Sequence, residues 1–135
     1  MKELNEIVIP ENLKYSDDHE WIAAAAPFRV GISDFAQSQL GDITFVEMPE
    51  VGASFAKGDE FGTLESTKSV SPLMMPLTCK VVAVNDALSD DPGLLNGDPY
   101  GQGWIVEVEP VDAGQLGELF DAAAYRKLIE TSGGE

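Results

Sequence analysis

Cysteine occurs once in the 135 residues, at position 79, so no internal disulfide can staple the chain. Histidine also occurs once, at position 19, and a zinc site built on one His and one Cys would have to draw its other ligands from carboxylates. A Ser-His-acid triad would depend on that same His19, and no nucleophile elbow accompanies it. Lys and Arg number 8 against 24 Asp and Glu, a formal net charge of -16. Such a surface repels phosphate backbones, which argues against nucleic acid as a partner. It suits docking by cationic or mixed-charge proteins, with general solubility as the plainer use of the same charge. No apolar run approaches the length that spans a bilayer, which argues against a membrane role. The lone thiol, with no apolar secretion segment at the start, favours a reducing interior. A chain opening on Met1 is expected in a bacterial cytoplasm, or in the mitochondrial matrix if the source is eukaryotic.

The length is that of one domain with a real core. Residues 1–12 read as a leader in which Ile7, Val8 and Ile9 can lie against the body, residues 13–130 as that body, and residues 131–135 as a fraying tail. Leu13-Lys14-Tyr15 is a short strand, and Ser16 to Glu20 a polar turn. Residues 20–25 and Phe28 to Ile32 are the arms of a hairpin; the Ala23 to Ala26 run alone would suit a helix, but Pro27 biases Ala26 away from one. Ser33 is a helix N-cap, with Phe35, Ala36 and Leu40 on one apolar face and Gly41 as the stop. Ile43 to Met48 has the clearest strand composition in the chain.

Lys80 to Val84 and Trp104 to Glu109 are further strands. Between them, residues 89–93 read as a loop and Leu94-Leu95-Asn96 as a single helical turn. Asp112 with Gln115 has the spacing of a capping box, and Leu116, Leu119, Phe120, Ala123, Ala124 and Leu128 then recur at helical spacing, with Asp121 capping a second segment. Short strands at regular intervals with a terminal helical unit predict an all-β sandwich or partly open barrel carrying peripheral helices.

One stretch organises the rest. In Glu60 to Glu65, alternation puts Phe61, Thr63 and Glu65 on one face and Gly62 and Leu64 on the other. Ser66 and Thr67 favour a turn, because their hydroxyls bond nearby backbone groups. Val70, Leu73, Met74 and Met75 then run back, punctuated by Pro72 and Pro76. Lys68 therefore sits at a hairpin tip, its amine in solvent. It is either a solubilising lysine or a point where a modifying enzyme attaches a long arm. Self-sufficient catalysis is not indicated, since the Gly97 to Gly103 connection lacks the strand-to-helix context of a phosphate cradle.

The motif Glu65-Ser66-Thr67-Lys68-Ser69-Val70-Ser71 resembles the lipoylation site of the glycine cleavage system H-protein family. His19-Glu20-Trp21, Leu40-Gly41-Asp42, Phe45-Val46-Glu47, Val84-Asn85, Leu95-Asn96, Pro99-Tyr100 and Gly103-Trp104 match in the same order, so the resemblance runs from Leu13 to Ile129. It implies a mainly β barrel-sandwich hybrid of the lipoyl- and biotinyl-carrier kind, with short peripheral helices and a C-terminal helical unit. It also implies a carrier rather than an enzyme, with lipoate amide-linked to Lys68. The partners it implies are a pyridoxal-phosphate glycine decarboxylase, a tetrahydrofolate-dependent aminomethyltransferase and an FAD- and NAD-dependent dihydrolipoamide dehydrogenase. A lipoate ligase or lipoyl transferase, with lipoyl synthase, would install the arm.

Glu20 is then a candidate for contacting the loaded amine in a surface cleft, the alternative being a solvated turn residue beside a core Trp21. Glu65 is either read by the lipoylating enzyme or simply ends a strand, and His19 orders its loop. The chain departs from the family pattern at Pro72, where an acidic residue is usual, at Cys79, where glycine is usual, at Met74-Met75, which replace a more varied pair, and in the hairpin around Ala23 to Phe28, which is about two residues shorter. A relay paralogue that hands lipoate to other proteins is the second functional reading. A carrier domain of a 2-oxoacid dehydrogenase or biotin enzyme is the third, although Thr67 and Ser69 stand where a biotin site has methionines.

Overall fold

The structure is a computed structural model that describes residues 6–131. Its strands are β1 (Leu13–Tyr15), β2 (Glu20–Ala23), β3 (Phe28–Ile32), β4 (Ile43–Glu47), β5 (Ser54–Phe55), β6 (Glu60–Ser66), β7 (Val70–Met74), β8 (Cys79–Val84) and β9 (Val106–Pro110). Helices α1 (Asp34–Leu40), α2 (Ala87–Asp90), α3 (Leu94–Gly97) and α4 (Ala122–Thr131) lie between and after them, with a 3-10 helix at Ala113–Glu118. A six-stranded sheet in the order β1-β2-β3-β9-β8-β5 faces a three-stranded sheet in the order β4-β6-β7, and the two do not close into a barrel. All pairings are antiparallel. The expected mainly β architecture with short peripheral helices is the one observed.

The main core lies between the sheets and includes Ile22, Val30, Val46, Phe61, Leu64, Leu73, Met75, Val81 and Val106. A second cluster under α4 gathers Ile7, Tyr15, Trp21, Phe35, Tyr125 and Ile129. Tyr15 stacks on Tyr125 with ring centroids 4.6 Å apart, and the Trp21 indole N–H donates to the Pro99 carbonyl at 3.0 Å. The segment before β1 is tied to this cluster, since Val8 N donates to Asp34 Oδ2 at 2.8 Å and the Tyr100 hydroxyl donates to Val8 O at 2.6 Å.

Several local expectations are corrected. β6 does not alternate simply: Glu60 pairs with Met74 and Gly62 with Leu73, so Phe61 is an inserted bulge residue. The bulge turns both Phe61 and Leu64 into the core, which strict alternation forbids. Gly62 is required there, because a Cβ would run into the Glu47 carbonyl oxygen. The first arm of the β2–β3 hairpin ends at Ala23, two residues early. Residues 89–93 are not all loop, since α2 extends through Asp90.

The face expected of α1 is divided, with Phe35 in the second cluster and Ala36 and Leu40 against the first. The capping box does not form: Asp112 accepts from Gly114 N, whereas Gln115 Oε1 is taken by Thr78 N at 2.8 Å. In α4 the buried residues are Tyr125 and Ile129 rather than the alanines, because the chain breaks at Leu119 to Asp121 and restarts its period there. Asp121 does cap the restart, accepting from Ala124 N at 2.8 Å.

Candidate functional site

Lys68 lies in the turn joining β6 to β7 and is exposed. The turn is held by one side chain. Ser66 Oγ accepts from Lys68 N at 3.2 Å and from Ser69 N at 3.1 Å, while Ser66 N donates to Ser69 O at 2.8 Å. A hydroxyl that gathers two amide donors stabilises a tight turn without apolar packing. The tip is also fastened to the α1–β4 corner: Thr67 N donates to Asp42 O at 3.1 Å, and Thr44 Oγ1 donates to Glu65 O at 3.2 Å.

That corner holds the two residues that sequence reasoning did not connect with the site. Gly41 ends α1 at φ 77° and ψ −159°, a region open only to glycine. A Cβ at Gly41 would lie 3.2 Å from Lys68 Cε and 3.6 Å from Cδ, so the lysine stem runs along bare glycine backbone. Asn96 of α3 braces the same corner. Its Oδ1 accepts from Ile43 N at 2.9 Å, and its Nδ2 donates to Gly41 O at 2.9 Å and Gln37 Oε1 at 3.0 Å. The Gly41 stop signal was visible in the sequence. The contact it makes with Lys68 was not.

Beside the hairpin, a groove of about 420 Å³ runs between α1 and β7, lined by Asp18, His19, Phe35, Gln39, Leu40 and Ser71 among others. His19 stands at φ 71°, a left-handed conformation rare outside glycine, and among the described residues it is the only such case. Its Nδ1 shares a hydrogen bond with the Tyr125 hydroxyl at 2.8 Å, and that hydroxyl pairs with Ser33 Oγ at 2.7 Å. Burial lowers the His19 pKa, so the ring is neutral at pH 7. His19 thus orders its turn and joins it to α1 and α4, as expected of it.

Glu20 is not a solvated turn residue. It is 2% exposed, and its carboxyl accepts from Ser16 Oγ at 2.9 Å and from Met74 N at 3.2 Å. Its own backbone N–H donates to Ser16 Oγ at 3.1 Å. Burial pushes its pKa up to about 8, against the opposing pull of the Met74 and Ser16 hydrogen bonds. It is therefore an uncharged acid at neutral pH, buried against β7. Trp21 is in the second core cluster, as expected. Glu65, in contrast, is exposed, and sits between Phe45 on β4 and Val70 on β7 in the register of the three-stranded sheet. Lys68, Glu65 and the groove share one end of the molecule, and Glu20 stands farther down β7 at Met74.

Two of the departures from the family pattern, Pro72 and Cys79, fall away from the groove. Pro72 is exposed on β7, an edge strand, and follows Ser71, so its side chain takes the opposite face from the one that lines the groove. Cys79 is fully buried in the core with no positive φ, and burial raises its thiol pKa to about 12. It is a packed, inert thiol. Among the described residues no group of His, Cys, Asp or Glu could hold a metal ion, and no helix is long and apolar enough to cross a membrane.

A group joined to Nζ through an amide needs an exposed amine, a rigid attachment point and free space along the stem. Lys68 with its Ser66-pinned turn and the bare Gly41 backbone meets these needs. An open two-sheet β domain that presents such a lysine at a hairpin tip is suited to carrying a covalently attached group. The comparisons with known proteins make this particular. The sequence matches the family model described as Glycine cleavage H-protein over residues 13–132. The chain belongs to that family, whose members are carrier components and not themselves catalytic.

The chain is 52% identical over 125 residues to the glycine cleavage system H protein of Myxococcus xanthus, covering 92% of this chain and 97% of the relative. It is 47% identical over 123 residues to that of Listeria monocytogenes, covering 90% and 98%. A crystal structure of the H protein from Mycobacterium marinum superposes with a TM-score of 0.80 at 41% identity, covering 93% of this chain and 99% of the other.

Proposed function

We propose that lipoate is amide-linked to Lys68 and that the protein shuttles the aminomethyl group of glycine from glycine decarboxylase to aminomethyltransferase, then is reoxidised by dihydrolipoamide dehydrogenase. The observation that carries this reading is the Lys68 hairpin: an exposed lysine on a turn fixed by Ser66 and seated on glycine. The bound lipoyl group supplies a disulfide that accepts the one-carbon unit and is reduced to the dithiol level. The chain's own residues supply position. A fixed root with a free end restricts the volume the arm must search, which raises its effective concentration at each partner site. Loss of the lysine charge on amide formation makes the acidic tip still more negative.

The groove beside the hairpin supports a resting place for the arm. From Lys68 Cα to the nearer ring sulfur is about twelve bonds, or about 14 Å fully extended. From Val70 to Met74, where Glu20 is bonded, is about 13 Å of strand. Glu20 thus sits near the limit of reach. A neutral buried acid has no use for charge until a cationic amine arrives beside it; its proton then passes to solvent water, and the carboxylate and ammonium form a charge-assisted bond. In this reading Glu20 is the acceptor for the loaded amine and Glu65 is read by the attaching enzyme. Related proteins come from bacteria, which supports a cytoplasmic setting. Mass spectrometry of the protein after incubation with lipoate, ATP and a lipoate ligase tests the attachment: one lipoyl group on Lys68 is expected, and none on Lys68→Arg. Modification at another lysine, or none, contradicts it.

A further inference from the structure

We infer that Phe45 and Val70, which flank Glu65 on the outer face of the three-stranded sheet, form the recognition strip for the enzyme that acylates Lys68; this rests on the reading of Lys68 as the attachment point. The register places Phe45 opposite Glu65 and Glu65 opposite Val70, so the three form one row across β4, β6 and β7. Directly opposed residues have Cβ atoms about 4.5–5.5 Å apart, which makes the row continuous. All three are exposed, with Phe45 at 51% and Val70 at 67%, although the neighbouring row of Val46 and Leu64 is in the core. Two large apolar side chains on either side of a carboxylate, at the base of the Lys68 turn, are left exposed by this fold. They are available to a partner.

Reach decides which partner. In the attachment step the Lys68 amine forms an amide with the carbonyl carbon of an activated lipoyl group, such as an acyl adenylate. The amine gives up its proton and the nucleotide leaves with the bonding pair. That enzyme must bring its catalytic groups to Nζ, only about 6 Å from Lys68 Cα, and so must close over the residues beside the tip. Enzymes that act on the far end of a finished arm stand about 14 Å away and need no such contact. The strip therefore fits the attaching enzyme, whose surface would bring an apolar recess for Phe45 and Val70. Covering Glu65 also requires a cationic group opposite it, since a buried unpaired carboxylate is costly. The net charge of -16 favours encounter with such a cationic surface.

The test uses the unmodified full-length protein as substrate of a lipoate ligase with ATP and free lipoate. Phe45→Thr and Val70→Thr keep β propensity on an exposed face, and their thermal unfolding is measured first against the wild type. For each variant we expect KM for the acceptor protein to rise roughly five- to tenfold with kcat held within twofold, the loss typical of a truncated interface anchor. Phe45→Leu and Val70→Ile are expected to restore KM. The variants, driven to full lipoylation by long incubation, are expected to support decarboxylase-dependent exchange within twofold of wild type. Unchanged KM in both Thr variants overturns the proposal. Loss of exchange by the fully lipoylated variants also overturns it, by assigning the strip to a cleavage partner. If the wild type accepts no lipoate on Lys68, the functional reading itself fails, and the inference with it.

Discussion

Glu20→Gln isolates the buried acid. In the folded protein the Glu20 pKa is pushed up from its ordinary 4.5 to about 8. Between those values the folded chain holds a proton that the unfolded chain has lost. Stability from this group is therefore complete below pH 4.5 and is lost as pH rises through about 8. Each pH unit in the window removes about 1.4 kcal/mol, so the whole window removes on the order of 5 kcal/mol. Glutamine is an uncharged isostere of the protonated acid: its Oε1 can still accept from Met74 N, while the bond to Ser16 is reversed, Nε2 donating where Glu20 Oε1 accepted from Ser16 Oγ.

The variant and the wild type should differ by less than about 1.5 kcal/mol at pH 5, as expected of an isosteric neutral pair. By pH 8.5 the variant should be the more stable by several kcal/mol. Urea unfolding followed by tryptophan fluorescence at pH 5, 6, 7, 8 and 8.5 measures this. His19, buried neutral with a lowered pKa, destabilises the fold below its ordinary 6.5, but it does so equally in both proteins and cancels in the difference. A wild-type-minus-variant difference that stays constant from pH 5 to 8.5 would show that Glu20 is ionised throughout. It would remove the argument that the site awaits a cation.

Three further outcomes are expected. Gly41→Ala forces a side chain into a glycine-only region at a cost of about 1–3 kcal/mol, which for 135 residues lowers Tm by roughly 4–10 °C in a calorimetric scan; a shift under 1 °C would mean that the corner is not strained. Asn96→Ala removes three hydrogen bonds at the corner beneath the tip. It should destabilise by about 1–3 kcal/mol in urea and raise amide exchange at Ile43, whereas protection at Ile43 equal to wild type would contradict the bracing role. Cys79 should react with a thiol reagent only as fast as the protein unfolds, given its full burial and pKa of about 12. Rapid labelling of the native protein would refute its placement in the core.

What was legible in the sequence was local. Ser66 carries turn chemistry within three residues of Lys68, and Ser33, Gly41 and Asp121 carry capping chemistry within one helical turn; each was found where expected, whereas Thr67 holds the tip through its backbone N–H to Asp42 O. Most strands were legible for the same reason, because β-branched runs bounded by Gly, Pro and Asn announce themselves; the two-residue β5 at Ser54–Phe55 was not, and β9 begins at Val106 rather than Trp104. What was not legible depends on pairing at long range. Glu20 looks like any polar-turn acid until Met74, 54 residues away, supplies its amide. The Phe61 bulge breaks alternation by one residue and leaves no compositional mark. Gln115 had the spacing of a cap, but a free donor at Thr78 claimed it. Pro72 departs from the family pattern four residues after Lys68, and only strand alternation places it on the far face from Ser71.

The most direct test of the central claim is the exchange of labelled bicarbonate into the carboxyl of glycine, catalysed by glycine decarboxylase in the presence of this protein after mass spectrometry has shown one lipoyl group on Lys68. The account predicts exchange that depends on the protein and is abolished by Lys68→Arg. Full lipoylation of Lys68 with no exchange would contradict the shuttle role, and would fit a protein that hands lipoate on to other acceptors.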